Sequence, residues 1–160
     1  MTDKYIVKAE EIAAMEGTAK THFLNDNAVR NNKSLGDLTG LTGLGFHIIE
    51  VQPGHESTEY HVHYCEDECT YVLSGEGTVT IGETTYPVST GDFIGYRAGG
   101  LAHTMHATGH EPLVCIVVGQ RLSHDVGDYP NKCQRIYRQA GMPWNLVGFD
   151  DIKLPVAGEK

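Results

Sequence analysis

Between residues 41 and 120 the apolar positions fall in short runs rich in β-branched and aromatic residues, each bounded by glycine or proline. Runs of this kind read as strands rather than helices. The pattern predicts strands over 45–52, 58–63, 68–73, 77–81, 84–88, 92–96, 103–107 and 113–118. Between the fourth and fifth, Ile81-Gly82-Glu83-Thr84 has the form of a two-residue hairpin with glycine first, as a type II′ turn requires. Short, evenly spaced strands without intervening helices favour a sandwich or barrel over a parallel α/β sheet. The flanks have a different texture. Residues 1–40 are mixed, with a helix expected over 9–16 and closed by Gly17 as its C-cap. Residues 121–160 are polar with scattered aromatics (Tyr129, Tyr137, Trp144 and Phe149), and are expected to wrap the barrel or a partner subunit. The expected organisation is one domain in all: a flank over 1–40 packing on the barrel, the barrel over 41–120, and a second flank over 121–160.

Composition narrows the partners. A chain of 160 residues, 40% apolar and 21% charged, has the make-up of one soluble globular domain. Its 12 lysines and arginines against 21 acidic residues give a net charge of −9, which repels phosphate backbones and anionic lipid. Neither nucleic acid nor a membrane is expected as a partner. The longest aliphatic run, residues 113–118, is far too short to span a bilayer, and no apolar signal core follows Met1-Thr2-Asp3-Lys4-Tyr5. The expected location is cytoplasmic. Four cysteines in such a chain do not suggest a disulfide framework. Cys115 reads as core, and Cys65 and Cys69 as small half-buried side chains rather than thiolate ligands.

The chemistry concentrates in histidines. Residues two apart on a strand share a face, so His61 and His63 direct two imidazoles into one space. Glu68 follows at an odd spacing, so residues 64–67 should bend and Glu68 should open a neighbouring antiparallel strand. His103 begins a later strand. Three neutral nitrogens and one carboxylate oxygen suit a divalent transition metal with open positions for water or ligand. Buried unpaired, the same groups would be costly, and a metal resolves that cost. For His22, His47, His55, His106, His110 and His124 a surface or hydrogen-bonded core role is the expectation.

The spacing Gly54-(six)-His61-Val62-His63-(four)-Glu68-(six)-Gly75 resembles the first motif of the cupin superfamily. Gly91-Asp92-Phe93 through Ala98-Gly99-Gly100-Leu101-Ala102-His103 resembles the second, with fifteen residues separating Gly75 from Gly91. The phrase Tyr71-Val72-Leu73-Ser74-Gly75-Glu76-Gly77 is similar to cupins too, and the flanks resemble small bacterial cupins, some labelled sugar-phosphate-isomerase-like. The resemblance implies an all-β double-stranded β-helix (jelly-roll) barrel with short irregular flanks, and one metal (Zn, Mn, Fe, Co or Ni) held by His61, His63, Glu68 and His103. Asp67 competes for the place of Glu68, and His106 for that of His103. Two departures stand out: Arg97 falls where the second motif has proline, with one extra residue before His103, and Ala107 replaces an asparagine. A set without thiolate argues against a purely structural zinc site.

The barrel hosts many activities, so function must come from the site. The leading expectation is a metal-dependent isomerase of a sugar or sugar phosphate, with Glu59 as candidate base because it shares the parity of His61 and His63. The alternatives are an Fe(II)-dependent dioxygenase and a non-catalytic metabolite-binding or sensor module. The expected partner is a small molecule, and a homodimer is expected because jelly-roll sheets leave edges to cover. Between residues 41 and 118 Arg97 is the only basic side chain, against ten carboxylates, which makes it the candidate clamp for an anionic substrate. Should it face solvent, the cation must come from Arg30, Lys33 or Arg121.

Overall fold

The computed structural model describes residues 4–158; residues 1–3 and 159–160, the outermost ends of the two flanks, lie outside the described residues. In chain order the strands are β1 (Thr18–His22), β2 (Asn25–Ser34), β3 (Leu44–Val51), β4 (Val62–His63), β5 (Glu68–Ser74), β6 (Glu76–Ile81) and β7 (Thr84–Ser89). They continue with β8 (Phe93–Tyr96), β9 (His103–Ala107), β10 (Leu113–Gln120), β11 (His124–Tyr129), β12 (Gln134–Gln139) and β13 (Asn145–Gly148). Pairing is antiparallel and builds three sheets in the orders β1-β2-β3-β10-β5-β8, β7-β6-β9 and β13-β12-β11-β4. The two smaller sheets join through residues 54–61, which run beside β9. There His61 N–H donates to the His103 carbonyl at 3.1 Å, the return bond is 2.8 Å, and Ser57 N–H reaches the Met105 carbonyl at 2.9 Å. Two layers result, the expected jelly roll. Among the described residues no helix is long and apolar enough to cross a membrane.

The layers close on a core supplied by alternate positions. Ile49, Val51, Val72, Ile94, Leu113 and Cys115 come from the six-stranded sheet; Val79, Val88, Met105 and Ala107 face them. Burying each Val or Leu contributes roughly 1.5–3 kcal/mol. Followed along their strands, the same inward faces turn polar. Val72 on β5 gives way to Thr70 and Glu68, Ile49 on β3 to His47, and Met105 on β9 to His103. One end of the barrel is therefore apolar and sealed, and the other is polar and open.

Several expectations change. The helix α1 spans Ala9–Ala14, shorter than 9–16, because Met15 is already extended. Gly17 (φ +78°) does not cap it: it leads into β1 against the side chain of Asn31. The strand expected over 58–63 shrinks to β4, since side chains take the backbone carbonyls where it would begin. Arg30 Nη1 donates to the Ser57 carbonyl, and Thr104 Oγ1 to that of Thr58 at 2.8 Å. β4 pairs with β11, and β5 with β8 and β10, so Glu68 does not open a strand next to His63. The flanks are not irregular: they supply β1 and β2 to one sheet and β11, β12 and β13 to another. β2 escapes hydrophobic patterning because its inward residues Ala28, Arg30 and Asn32 face a polar cavity instead of the core.

Two turns are set by glycine. Gly82 at φ +58° closes the Ile81–Thr84 pair as the type II′ hairpin expected. Gly75 is tighter: at φ +85°, an added Cβ would lie 2.2 Å from the Pro112 carbonyl oxygen. Gly54 has a similar φ of +83° but open space around it. Gly54→Ala should therefore lose only the left-handed strain, about 1–2 kcal/mol. Gly75→Ala should lose at least about 3 kcal/mol as the backbone collision adds to that strain. Urea unfolding of both variants checks this, and equal losses would mean the β5–β6 corner yields.

Candidate metal centre

Four side chains from three parts of the chain converge where the inward faces turn polar. One ligand atom each from His61, Glu68 and His103 lies within 4.8 Å of the others, and His63 Nε2 stands 3.1 Å from His61 Nε2. The strand parity of β5 turns Glu68 inward with Thr70 and Val72, while β9 turns His103 inward with Met105. Odd spacing puts His106 on the opposite face of β9. Asp67 is exposed and accepts Ala98 N–H at 2.7 Å, so it does not compete with Glu68.

The hydrogen bonds fix the tautomers. His61 Nδ1–H donates to the Glu59 carbonyl at 2.8 Å, and His63 Nδ1–H to Asp125 Oδ2 at 2.7 Å. Both Nε2 atoms then carry lone pairs, and those lone pairs face each other. Burial, reinforced by the neighbouring imidazoles of His103 and His63, pushes His61 down to about 3, so its Nε2 keeps its lone pair near neutrality. His103 is 4% exposed, and neither of its ring nitrogens has a hydrogen-bond partner. Burial opposes ionisation of Glu68, but the His103 ring, with Nε2 3.7 Å from Oε1, and the other imidazoles outweigh it and hold the carboxyl down at about 2. A carboxylate, two opposed lone pairs and an orphaned imidazole in one buried space fit a divalent cation. His61, His63, Glu68 and His103, the four residues that the motifs imply as ligands, all stand in this space.

A second group, His63, Glu66 and Asp125, also clusters. Arg138 fills it, with Nη2 bonded to Glu66 Oε2 and, at 2.6 Å, to Asp125 Oδ2. Burial works against the Asp125 charge, yet His63 and Arg138 outweigh it and hold the carboxyl well below its usual range. This ion-pair network orients His63 from behind.

The quartet opens into a cavity of about 460 Å³ whose wall includes His22, Arg30, His47, Tyr129, Arg138 and Trp144. Glu59 is not on that wall. Residues 57–60 are irregular, so strand parity does not govern it; it is 4% exposed, pairs with Lys132 Nζ at 3.6 Å and borders a different pocket. That removes it as the base. Arg97 is exposed and outside the cavity, which removes it as the clamp. Lys33 is tied to the Ile12 carbonyl at 3.0 Å and Arg121 to Asp37, leaving Arg30 as the cation on the wall among the three alternatives. Sequence reasoning missed His22, Asp125 and Arg138. Asp125 lies 62 residues from His63, and no local spacing signals such a contact.

Residues 47–119 match the family described as the cupin domain. A structure from Acidithiobacillus ferrooxidans, provisionally named a sugar phosphate isomerase, is 51% identical, with TM-score 0.93 over 98% of this chain and 99% of that one. A cupin-superfamily structure from Silicibacter pomeroyi, named a sugar phosphate isomerase, is 24% identical, with TM-score 0.76 over 87% and 89%. A Thermotoga maritima structure described as a predicted oxalate decarboxylase is also 24% identical, with TM-score 0.52 over 59% and 82%. The last two share the fold. No curated protein matches the sequence.

Elemental analysis of the purified protein should return close to one transition metal per chain, and His61→Ala with His103→Ala should abolish it. Asp125→Asn should weaken metal binding by about 10- to 100-fold, because the supporting partner of His63 loses its charge. Unchanged metal content in the double variant would exclude the site.

Proposed function

The chain belongs to the cupin superfamily, and from that premise we propose that it is a metal-dependent isomerase of a sugar or sugar phosphate. The observation that carries the reading is the convergence of three imidazoles and one carboxylate at the base of a cavity whose wall holds a further, neutral imidazole, His22. The name of the 51% identical relative points the same way. Held by His61, His63, Glu68 and His103, the metal supplies Lewis-acid polarisation of a carbonyl and its adjacent hydroxyl.

Among the chain's own residues, His22 handles the proton on the substrate oxygens. Leu24 N–H donates to His22 Nδ1 at 3.2 Å, which leaves the ring proton on Nε2. Burial, then the charges of Arg30 and Lys132, push His22 down to about 4, so it works as a neutral imidazole. A neutral ring can pass its Nε2 proton to one substrate oxygen, becoming imidazolate, and recover a proton from the adjacent hydroxyl, so that ring and substrate return to their starting charges. His47 is less free: its Nδ1 is 3.3 Å from Asn32 Nδ2, and its Nε2 lies toward Gly45 and Arg121. His22 is the proton carrier between substrate oxygens.

One observation favours a second reading, a non-catalytic binding module: Glu68 is the only carboxylate among the described lining residues. The homodimer expected from the sequence is retained, and the exposed Tyr71 and Phe93, opposite each other across β5 and β8, are apolar surface for it. A monomer mass by light scattering at micromolar concentration would remove it.

The metal-loaded protein should interconvert an aldose and ketose pair, sugar or sugar phosphate, followed by NMR, and lose activity on chelation. His22→Gln should cut turnover by about 100-fold with metal content unchanged. Ligand-induced stabilisation without interconversion across such a panel would overturn the isomerase in favour of the binding module. Ligand-dependent oxygen uptake by the Fe(II) form would favour the dioxygenase.

A further inference from the structure

Arg30 lies on β2 with Ala28 and Asn32, on the face that lines the cavity. Its Nη1 donates to the Ser57 carbonyl, which fixes the plane of the guanidinium. Among the described residues the fully enclosed Nε has no hydrogen-bond partner, and Nη2 makes no hydrogen bond. Nε–H and Nη2–H are the two parallel donors on one edge of the group, the fork that matches two oxygens of a carboxylate or phosphate. The same fold shows this edge in use. Arg135 directs Nε and Nη2 at the two oxygens of Asp128, at 2.6 and 2.8 Å.

The other cavity-lining guanidinium, Arg138, is committed to Glu66 and Asp125. Among the described residues Arg30 has no carboxylate within ion-pair distance. Burial lowers its pKa, with the charge of Glu68 working the other way, and a guanidinium stays protonated regardless. An enclosed cation with an unmet fork is expensive. The local charge also departs from that of the chain. Net charge is −9 overall, yet with Arg138 already neutralised by Glu66 and Asp125 the cavity wall carries Lys20 and Arg30 against Glu68 alone. The acidic exterior does not extend into the cavity.

We propose that the ligand of this cavity carries a phosphate or carboxylate group, and that Arg30 receives two of its oxygens through Nε and Nη2. The inference rests on the proposed function only in taking this cavity as the ligand site. It makes Arg30 the residue that sets preference for acidic over neutral sugars, a role the exposed Arg97 cannot fill.

Calorimetric titration of the metal-loaded and metal-stripped protein with a hexose, the matching hexuronate and the hexose 6-phosphate tests it. At least one of the two anions should bind about tenfold or more tighter than the neutral sugar, as two charge-assisted hydrogen bonds imply, and the preference should persist without metal. Which anion binds separates a phosphate source from a carboxylate source. Arg30→Gln should erase the preference while metal content stays unchanged. If Arg30→Gln fails to fold, Arg30→Lys carries the test: it keeps the charge but not the fork, and the preference should fall by about tenfold. Equal affinity for all three sugars, no binding of any, or a preference that survives in the variants would overturn the proposal. Turnover reports separately. Isomerisation with an unaltered anion preference in the variants removes Arg30 and spares the isomerase; an Arg30-dependent preference without turnover does the reverse.

Discussion

Two imidazole lone pairs held 3.1 Å apart inside a barrel are the constraint on which the rest of this structure depends. His61 is kept neutral by burial, and with the Nδ1 proton of each ring already donated elsewhere the two Nε2 lone pairs are left in opposition. The fold must therefore hold the rings against it. His61 is held by a backbone carbonyl and His63 by the carboxylate of Asp125, itself held by Arg138. β11 supplies that carboxylate and β12 that guanidinium.

The same constraint explains the division of the interior. An apolar end built from Val51, Val72, Val79 and Leu113 supplies the burial that a polar end cannot. Polar side chains then extend from shared strands, so the ligand groups inherit their spacing from rigid sheet rather than from loops. Each inward face changes character along its length without changing register. A slip of one residue on β5 would turn Glu68 outward and Val72 to solvent together. Fold and site are thus specified by one pairing.

That coupling decides what could be read from the chain alone. The strands between residues 44 and 120 were legible because apolar alternation and bounding glycines mark them, and His61, His63, Glu68 and His103 were legible because they sit on those strands at telling spacings. β1, β2, β11, β12 and β13 were not. Their inward residues face a polar cavity or an ion-pair network, so the hydrophobic alternation that reveals a strand is missing. Glu59 and Arg97 misled for a related reason. Parity identifies a face only while the strand is regular, and residues 57–60 are not. The scarcity of cations between 41 and 118 singled out Arg97, but the cation on the cavity wall enters from β2, outside that window.

The three imidazoles are not equivalent, because each is oriented by a different force. A carboxylate behind His63 pulls on its Nδ1 proton and raises the donor strength of Nε2 more than the neutral carbonyl behind His61 can. His103 has neither kind of partner. Its ring lies flat on Tyr96, with centroids 3.6 Å apart and planes 6° from parallel, so packing alone sets its direction. Tyr96 in turn is paired with Glu68 across β5 and β8, which places the stacking platform and the carboxylate ligand in one register. A site assembled this way has one strong, one ordinary and one sterically positioned nitrogen. The last is the position that a change in packing on β8 reaches most directly, without touching a hydrogen bond.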